Sequence, residues 1–167
     1  MKRVATSEQA PAIDSSLFRR VMGRFASGVT VITAESSGEV RGMTANAFMS
    51  ASLDPPLILV SVAQRASMHA HLHAAGRFAI NILRAGQEEI ANHFAGRALR
   101  AYAPEFVHVG RIPTLGSVAT VITAETVATH ECGDHTLFVG HIQTMAADDS
   151  APLVYHAGKF GALASGV

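Results

Sequence analysis

The chain has 167 residues, 49% hydrophobic and only 16% charged, enough for one domain with a sizeable core. Thirteen basic and thirteen acidic residues cancel without any run of Lys or Arg, which argues against a nucleic-acid or anionic-membrane surface. The single cysteine, Cys132, has no internal disulfide partner and suits a reducing cytoplasm.

No apolar run reaches the roughly 18 residues of a membrane helix. High apolar content with low charge points instead to apolar surface covered by a second subunit. Residues 1–14 are mixed, with Pro11, and read as a flexible leader before a single domain at 15–167. Ser15 or Ser16 can cap a helix from Leu17 to about Phe25, where Leu17, Phe18, Val21, Met22 and Phe25 recur at helical spacing. Ser27-Gly28 ends it. Val29 to Ala34 is β-branched and reads as a strand, Ser36-Ser37-Gly38-Glu39 as a hairpin turn, and Val40 to Ala47 as the returning strand.

The stretch Gly42-Met43-Thr44-Ala45-Asn46-Ala47-Phe48 combines a glycine, small side chains and two short hydrogen-bonding groups. Such a segment lets a flat polar ligand approach the backbone closely; the alternative is a hairpin corner rich in small residues. After the Pro55-Pro56 break, Leu57 to Val62 is nearly all apolar and reads as a strand buried on both faces. Ser67 to Ala75 reads as a helix, Phe78 to Leu83 as a strand and Gln87 to Phe94 as a short helix. Ala95 to Pro113 reads as a less regular connection. Strands follow at about Val118 to Thr129, Thr136 to Ala146 and Pro152 to Tyr155, with a turn at Glu131-Cys132-Gly133-Asp134. Many strands with short turns and inserted helices favour a barrel. No two of the fourteen glycines stand two residues apart, so a Rossmann phosphate turn is absent.

Nine histidines invite a metal reading. His69, His71 and His73 alternate, but on a helix only His69 and His73 share a face. No carboxylate or cysteine stands at ligand spacing and H-E-x-x-H is missing, so no metal is expected and a solvated or capping role is. Cys132 beside His135 suggests an activated thiol, but neighbours along a strand face opposite ways and nothing in the sequence orients the base. Gly133-Asp134-His135-Thr136 has another reading, an ionisable ring at a barrel rim. It also fits an ordinary turn in which Asp134 bonds its own backbone.

Taken together, G-M-T-A-N-A-F, S-L-D-P-P-L-I-L-V, G-R-F-A-I-N-I-L, the segment from Gln87 ending H-F-A-G, G-D-H-T-L-F-V-G and the close P-L-V-Y-H-A-G-K-F resemble the short-chain flavin reductases, in order from about Phe18 to Leu163. These are the reductase components of two-component flavin-dependent monooxygenases. The resemblance implies a mainly β fold with short helices, a split β-barrel of Greek-key, FMN-binding type. It further implies a homodimer with one flavin, FMN or FAD, per subunit near the dimer interface. Carried over by motif, Met43, Thr44, Ala45, Asn46 and Ala47 would line the isoalloxazine, and Ser61, Val62 and Ala63 would follow the ribityl chain. Ser67 and Met68 would lie near the phosphate at a helix N-terminus, and His93 and Phe94 would also reach the flavin. His135 would be the catalytic residue, docking the nicotinamide of NADH (or NADPH, for which Arg41, Arg65 and Arg84 are candidate 2′-phosphate partners). Gln64 and Ala66 stand where the family often has lysine and serine, with Arg65 able to supply a charge, and Ala47 stands where serine is common.

By the same resemblance, the activity is hydride transfer from nicotinamide to flavin, and diffusible reduced flavin serves a separate monooxygenase. Two alternatives stand beside it: a flavin-retaining electron-transfer reductase, for example of a corrinoid, and a non-catalytic FMN-binding protein.

Overall fold

The computed structural model of the protein describes residues 13–97 and 102–163. The leader expected at 1–14 falls outside the described residues up to position 12, as does the 98–101 part of the expected connection. Helix α1 (Ser15–Met22) is capped by Asp14, whose carboxylate accepts from the Ser16 and Leu17 amides and from the Ser16 hydroxyl. The cap therefore lies one residue before the serines expected to provide it, because a carboxylate takes first-turn amides more strongly than a hydroxyl does. The helix stops at Gly23, short of Phe25. Leu17, Phe18, Val21 and Met22 do form one apolar series, yet all are exposed.

The strands are β1 (Ser27–Gly28), β2 (Thr30–Ser36), β3 (Glu39–Ala45), β4 (Phe48–Ser52), β5 (Leu57–Ala63), β6 (Arg77–Ile82), β7 (Phe106–Val109), β8 (Ile112–Leu115), β9 (Thr120–Cys132), β10 (His135–Ala146), β11 (Val154–His156) and β12 (Lys159–Gly161). Helix α2 (Ser67–Ala75) joins β5 to β6, and α3 (Glu88–Phe94) follows β6. Seven strands form one antiparallel sheet in the order β3-β2-β6-β9-β10-β5-β4. Its two edge strands, β3 and β4, are consecutive in the chain and separated only by Asn46 and Ala47. Three peptide steps span at most about 11 Å, so the sheet must curl until its edges meet. The result is a split barrel, and the crossing from β5 through α2 to β6 gives it a Greek-key order.

Ile32, Ile58, Val60, Val62, Phe78 and Phe138 fill the interior, and Met68 and Leu72 of α2 plug one end. A second cluster, with Val31, Leu83, Ile90, Ala91 and Leu115, packs α3 and β8 onto the outside of β2. Strand β5 is buried on alternate residues only. Its expected burial on both faces is thus corrected: Leu57, Leu59 and Ser61 lie on a half-covered outer face.

The connection expected from Ala95 to Pro113 contains the β7–β8 hairpin, which polar residues and Pro113 hide from a strand pattern. Asn81 anchors it. The fully buried amide donates to the Val31 carbonyl (2.9 Å) and Thr33 Oγ1 (3.0 Å), and accepts from the Leu115 amide (2.8 Å). Thr33 Oγ1 in turn donates to the Pro113 carbonyl at 2.5 Å.

Of the helix histidines, His73 is exposed in the last turn of α2, as a solvated or capping role requires, while His71 and His69 are tied into the structure. His71 is buried with Nε2 3.2 Å from the Ala34 carbonyl. His69 lies 2.8 Å from Thr136 Oγ1, and His69 and His73, on one face as expected, both pack their rings on Phe138. Among the described residues there is no group of three metal-ligating side chains, and no helix is long and apolar enough to cross a membrane.

Candidate functional site

The seam where the sheet edges meet gathers most of the residues singled out from sequence. Val40, Gly42 and Thr44 share the outer face of β3, and α3 lies over it: Thr44 Oγ1 donates to the Ala91 carbonyl at 2.7 Å. A Cβ on Gly42 would fall 2.5 Å from Cε1 of Phe94 and 2.6 Å from Cδ1. Glycine at this position is what allows the Phe94 ring to press against the strand. On the opposite face, Met43 and Ala45 pack against the barrel core. Asn46 and Ala47 are exposed in the link, and the Ala47 carbonyl accepts the Ser61 amide at 3.0 Å, bringing β5 to the seam.

Two clefts flank this seam. One, of about 470 Å³, is bounded by Arg41, Gly42, Ser67, Met68, His93 and Phe94. The other, of about 180 Å³, is bounded by Thr44, Ala45, Asn46, Asn92, Tyr155 and Phe160. Met68 lines the first although its side chain is only 2% exposed. The α2 helix opens at Ala66 with no side chain accepting from its first-turn amides. The His69 amide donates to the Ala66 carbonyl at 2.9 Å, which leaves the Ser67 and Met68 amides and the partial positive charge of the helix end to an anion. Arg41 stands nearby, held by Glu39 through two contacts of 2.9 Å, and this pairing raises the Arg41 pKa. His93 sits between Phe94 and Tyr102, ring centroids 4.8 and 5.1 Å away, with Nδ1 buried and unpartnered.

Val62 is fully buried and turned into the core, so that position offers a ligand its backbone alone. Ser61 and Ala63 lie on the outer face with His135, which pairs directly with Ala63 across β5 and β10. Two strand spacings and a two-residue offset along the strand separate His135 from the Ala47 link, about 12 Å. His135 Nδ1 lies 2.7 Å from Asp134 Oδ1. This contact holds the Asp134 carboxyl below its ordinary range, and Nε2 makes no hydrogen bond among the described residues.

Cys132 and His135 are cross-strand partners beside the Gly133-Asp134 turn. They therefore share a face, unlike the opposition expected for neighbours along one strand, and Asp134 supplies the orienting group that the sequence did not reveal. No hydrogen bond joins the thiol to the imidazole among the described residues, so the geometry assigns His135 to Asp134 rather than to Cys132. Three contributors went unread in sequence: Asn92, Tyr155 and Phe160. The last two belong to the P-L-V-Y-H-A-G-K-F close, whose β11–β12 hairpin folds them back toward Thr44.

A split barrel with an open seam, a helix N-terminus and a basic side chain beside it suits a protein that holds an anionic nucleotide. The family model described as "Flavin reductase like domain" matches residues 22–164. The chain is 42% identical over 159 residues to an NADH-dependent flavin reductase of Rhodococcus sp, covering 93% of this chain and 90% of that protein. It is 42% identical over 139 residues to the reductase component of 4-hydroxyphenylacetate 3-monooxygenase of Thermus thermophilus, covering 83% of this chain and 89% of the other. Its fold matches a Streptomyces globisporus NADH:FAD oxidoreductase, solved in complex with NAD and FAD fragments, with a TM-score of 0.84 and 36% identity over 93% of this chain and 98% of that one. The chain belongs to the flavin reductase family.

Proposed function

We infer that the protein moves a hydride from NADH or NADPH to FMN or FAD and releases the reduced flavin to a separate monooxygenase. The observation that carries this is the convergence at one seam of a strand edge without a strand partner, small side chains, an uncapped helix N-terminus and an arginine. These features fit a flavin nucleotide: a flat ring needs close backbone approach, and its phosphate needs amides and positive charge. The printed names of the relatives, an NADH-dependent flavin reductase and a monooxygenase reductase component, support the same reading.

A bound flavin supplies the hydride-accepting chemistry, and the chain supplies orientation and electrostatics. Ala45, Asn46 and Ala47 keep side-chain bulk away from the ring, and the free edge of β3 offers backbone hydrogen bonds to its polar rim. Phe94, seated on Gly42, walls one side. Ser67, the first amides of α2 and Arg41 hold the phosphate. His135, steadied by Asp134, would hold the nicotinamide beside the ring, where hydride transfer needs close and oriented approach. The protein acts as a homodimer in the cytoplasm, where both nucleotides circulate; the exposed apolar side of α1 supports the dimer.

The test is NADH consumption by purified protein with increasing FMN or FAD. Loss of NADH absorbance that scales with added flavin, from a protein that purifies nearly colourless, is expected. A yellow protein that oxidises no NADH would identify a binding module instead.

A further inference from the structure

Beyond the seam, a cleft of about 400 Å³ opens between the β2–β3 and β7–β8 turns. Its charged lining is Glu35, Arg77, His108 and Arg111. Glu35 and His108 engage each other, Oε2 to Nε2 at 2.9 Å. Arg77 and Arg111 make no ion pair among the described residues. Two guanidinium groups thus border an open space whose one carboxylate already has a partner, a composition that suits an anionic ligand. The turn glycines lining the same cleft, Gly38 and Gly110, have φ of +77° and +62°, and no side chain shields their backbone.

This cleft adjoins the one at the seam. Glu35 is the cross-strand partner of Val40, which lines the seam cleft, and such partners have Cα atoms about 5 Å apart. Phe106 lines the seam cleft and His108 the basic one. They lie two residues apart on one face of β7, about 7 Å along the strand. The Glu35–His108 pair therefore stands between two neighbouring clefts. A dinucleotide whose first phosphate sits by Arg41 and the start of α2 carries its second phosphate and nucleoside beyond that point, and the basic cleft is the neighbouring space with positive charge to receive them.

Building on the function inferred above, we propose that the basic cleft holds the adenylate end of FAD, making FAD the preferred flavin. Arg111 and Arg77 bind the second phosphate, and Glu35 accepts from a ribose hydroxyl or the adenine amino group. FMN, lacking the adenylate, leaves the cleft empty.

The experiment compares the wild type with Arg111→Ala, a change at an exposed turn, and with Arg111→Lys. KM is measured for FAD, FMN and NADH, and 5′-AMP is titrated by calorimetry. Loss of one charge-assisted contact should raise KM for FAD about tenfold and that for FMN less than about twofold, with the lysine variant recovering part of the loss. Binding of 5′-AMP to the wild type should weaken in Arg111→Ala by a similar factor. Equal shifts for FAD and FMN, a rise confined to NADH, or failure of 5′-AMP to bind the wild type would each overturn the assignment. Absence of NADH oxidation with either flavin would refute the functional reading, while the 5′-AMP titration would still decide the cleft.

Discussion

Gly42→Ala adds one methyl group at the point where α3 meets β3, and its sign is informative. The φ of Gly42 is not positive, so alanine meets no backbone strain and would by itself stabilise by about 0.4–1 kcal/mol through the unfolded chain. The new Cβ, however, would lie 2.5 Å from Cε1 of Phe94, where carbon contacts settle near 3.5–4.0 Å. The ring must retreat by about 1 Å or more. Its retreat is hindered by His93, with ring centroids 4.8 Å apart, and by Phe106, at 6.3 Å. Overpacking of this kind costs about 1–3 kcal/mol, which for a chain of this size lowers the melting temperature by about 2–12 °C. Flavin affinity should fall with it, since Phe94 walls the cleft. Thermal melts and flavin titrations of Gly42→Ala, Phe94→Ala and the double variant close a cycle. With the ring truncated, the alanine should cost nothing, giving a coupling of about 1 kcal/mol or more. Additive losses, or a Gly42→Ala protein as stable and as tight for flavin as wild type, would refute the packing argument.

Asn81→Leu removes three buried hydrogen bonds and leaves the Leu115 amide without its acceptor. Urea unfolding should show a loss of about 3 kcal/mol or more, and a loss below about 1 would mean the β7–β8 hairpin is anchored otherwise. His135→Ala should raise the Michaelis constant for NADH more than it weakens flavin binding; equal losses would remove its nicotinamide role. Phe18→Asp with Val21→Asp should convert a dimer to a monomer in sedimentation, and a wild type already monomeric would exclude that use of α1. Asp14 is held below its ordinary 3.8, first by the Ser16 hydroxyl and then by the Leu17 and Ser16 amides. A depressed carboxyl adds stability above the unfolded value and loses it as pH falls through the folded one. The Leu17 amide resonance should therefore hold steady from neutral pH to about 4 and move only below that, whereas Asp14→Asn should show no such transition.

Where one face of an element meets the core, the residue pattern foretold it: α2 falls on its expected residues, and β2, β5, β6 and β10 lie within a few of theirs. Long-range docking was not legible. The β7–β8 hairpin depends on Asn81 and Thr33, distant in sequence, and no local periodicity encodes that partnership. The five residues of β4 carry no alternation to mark a strand, and only the closing of the sheet explains their pairing with β5. In the site, G-M-T-A-N-A-F carried its message in residue size, and the structure sets it at the seam. The apposition of Cys132 and His135 required the hairpin register, and the contributions of Tyr155 and Phe160 required the return of β11 and β12. Val62 shows the reverse: a residue within a binding motif whose side chain belongs to the core.

The most direct test of the central claim is anaerobic mixing of the purified protein with NADH and excess flavin, following both chromophores at once. Visible flavin absorbance should bleach mole for mole with NADH loss, in a molar excess over protein that shows flavin turning over as a substrate. Bleaching that stops at one flavin per protein, or no bleaching, would contradict a reductase that releases its flavin.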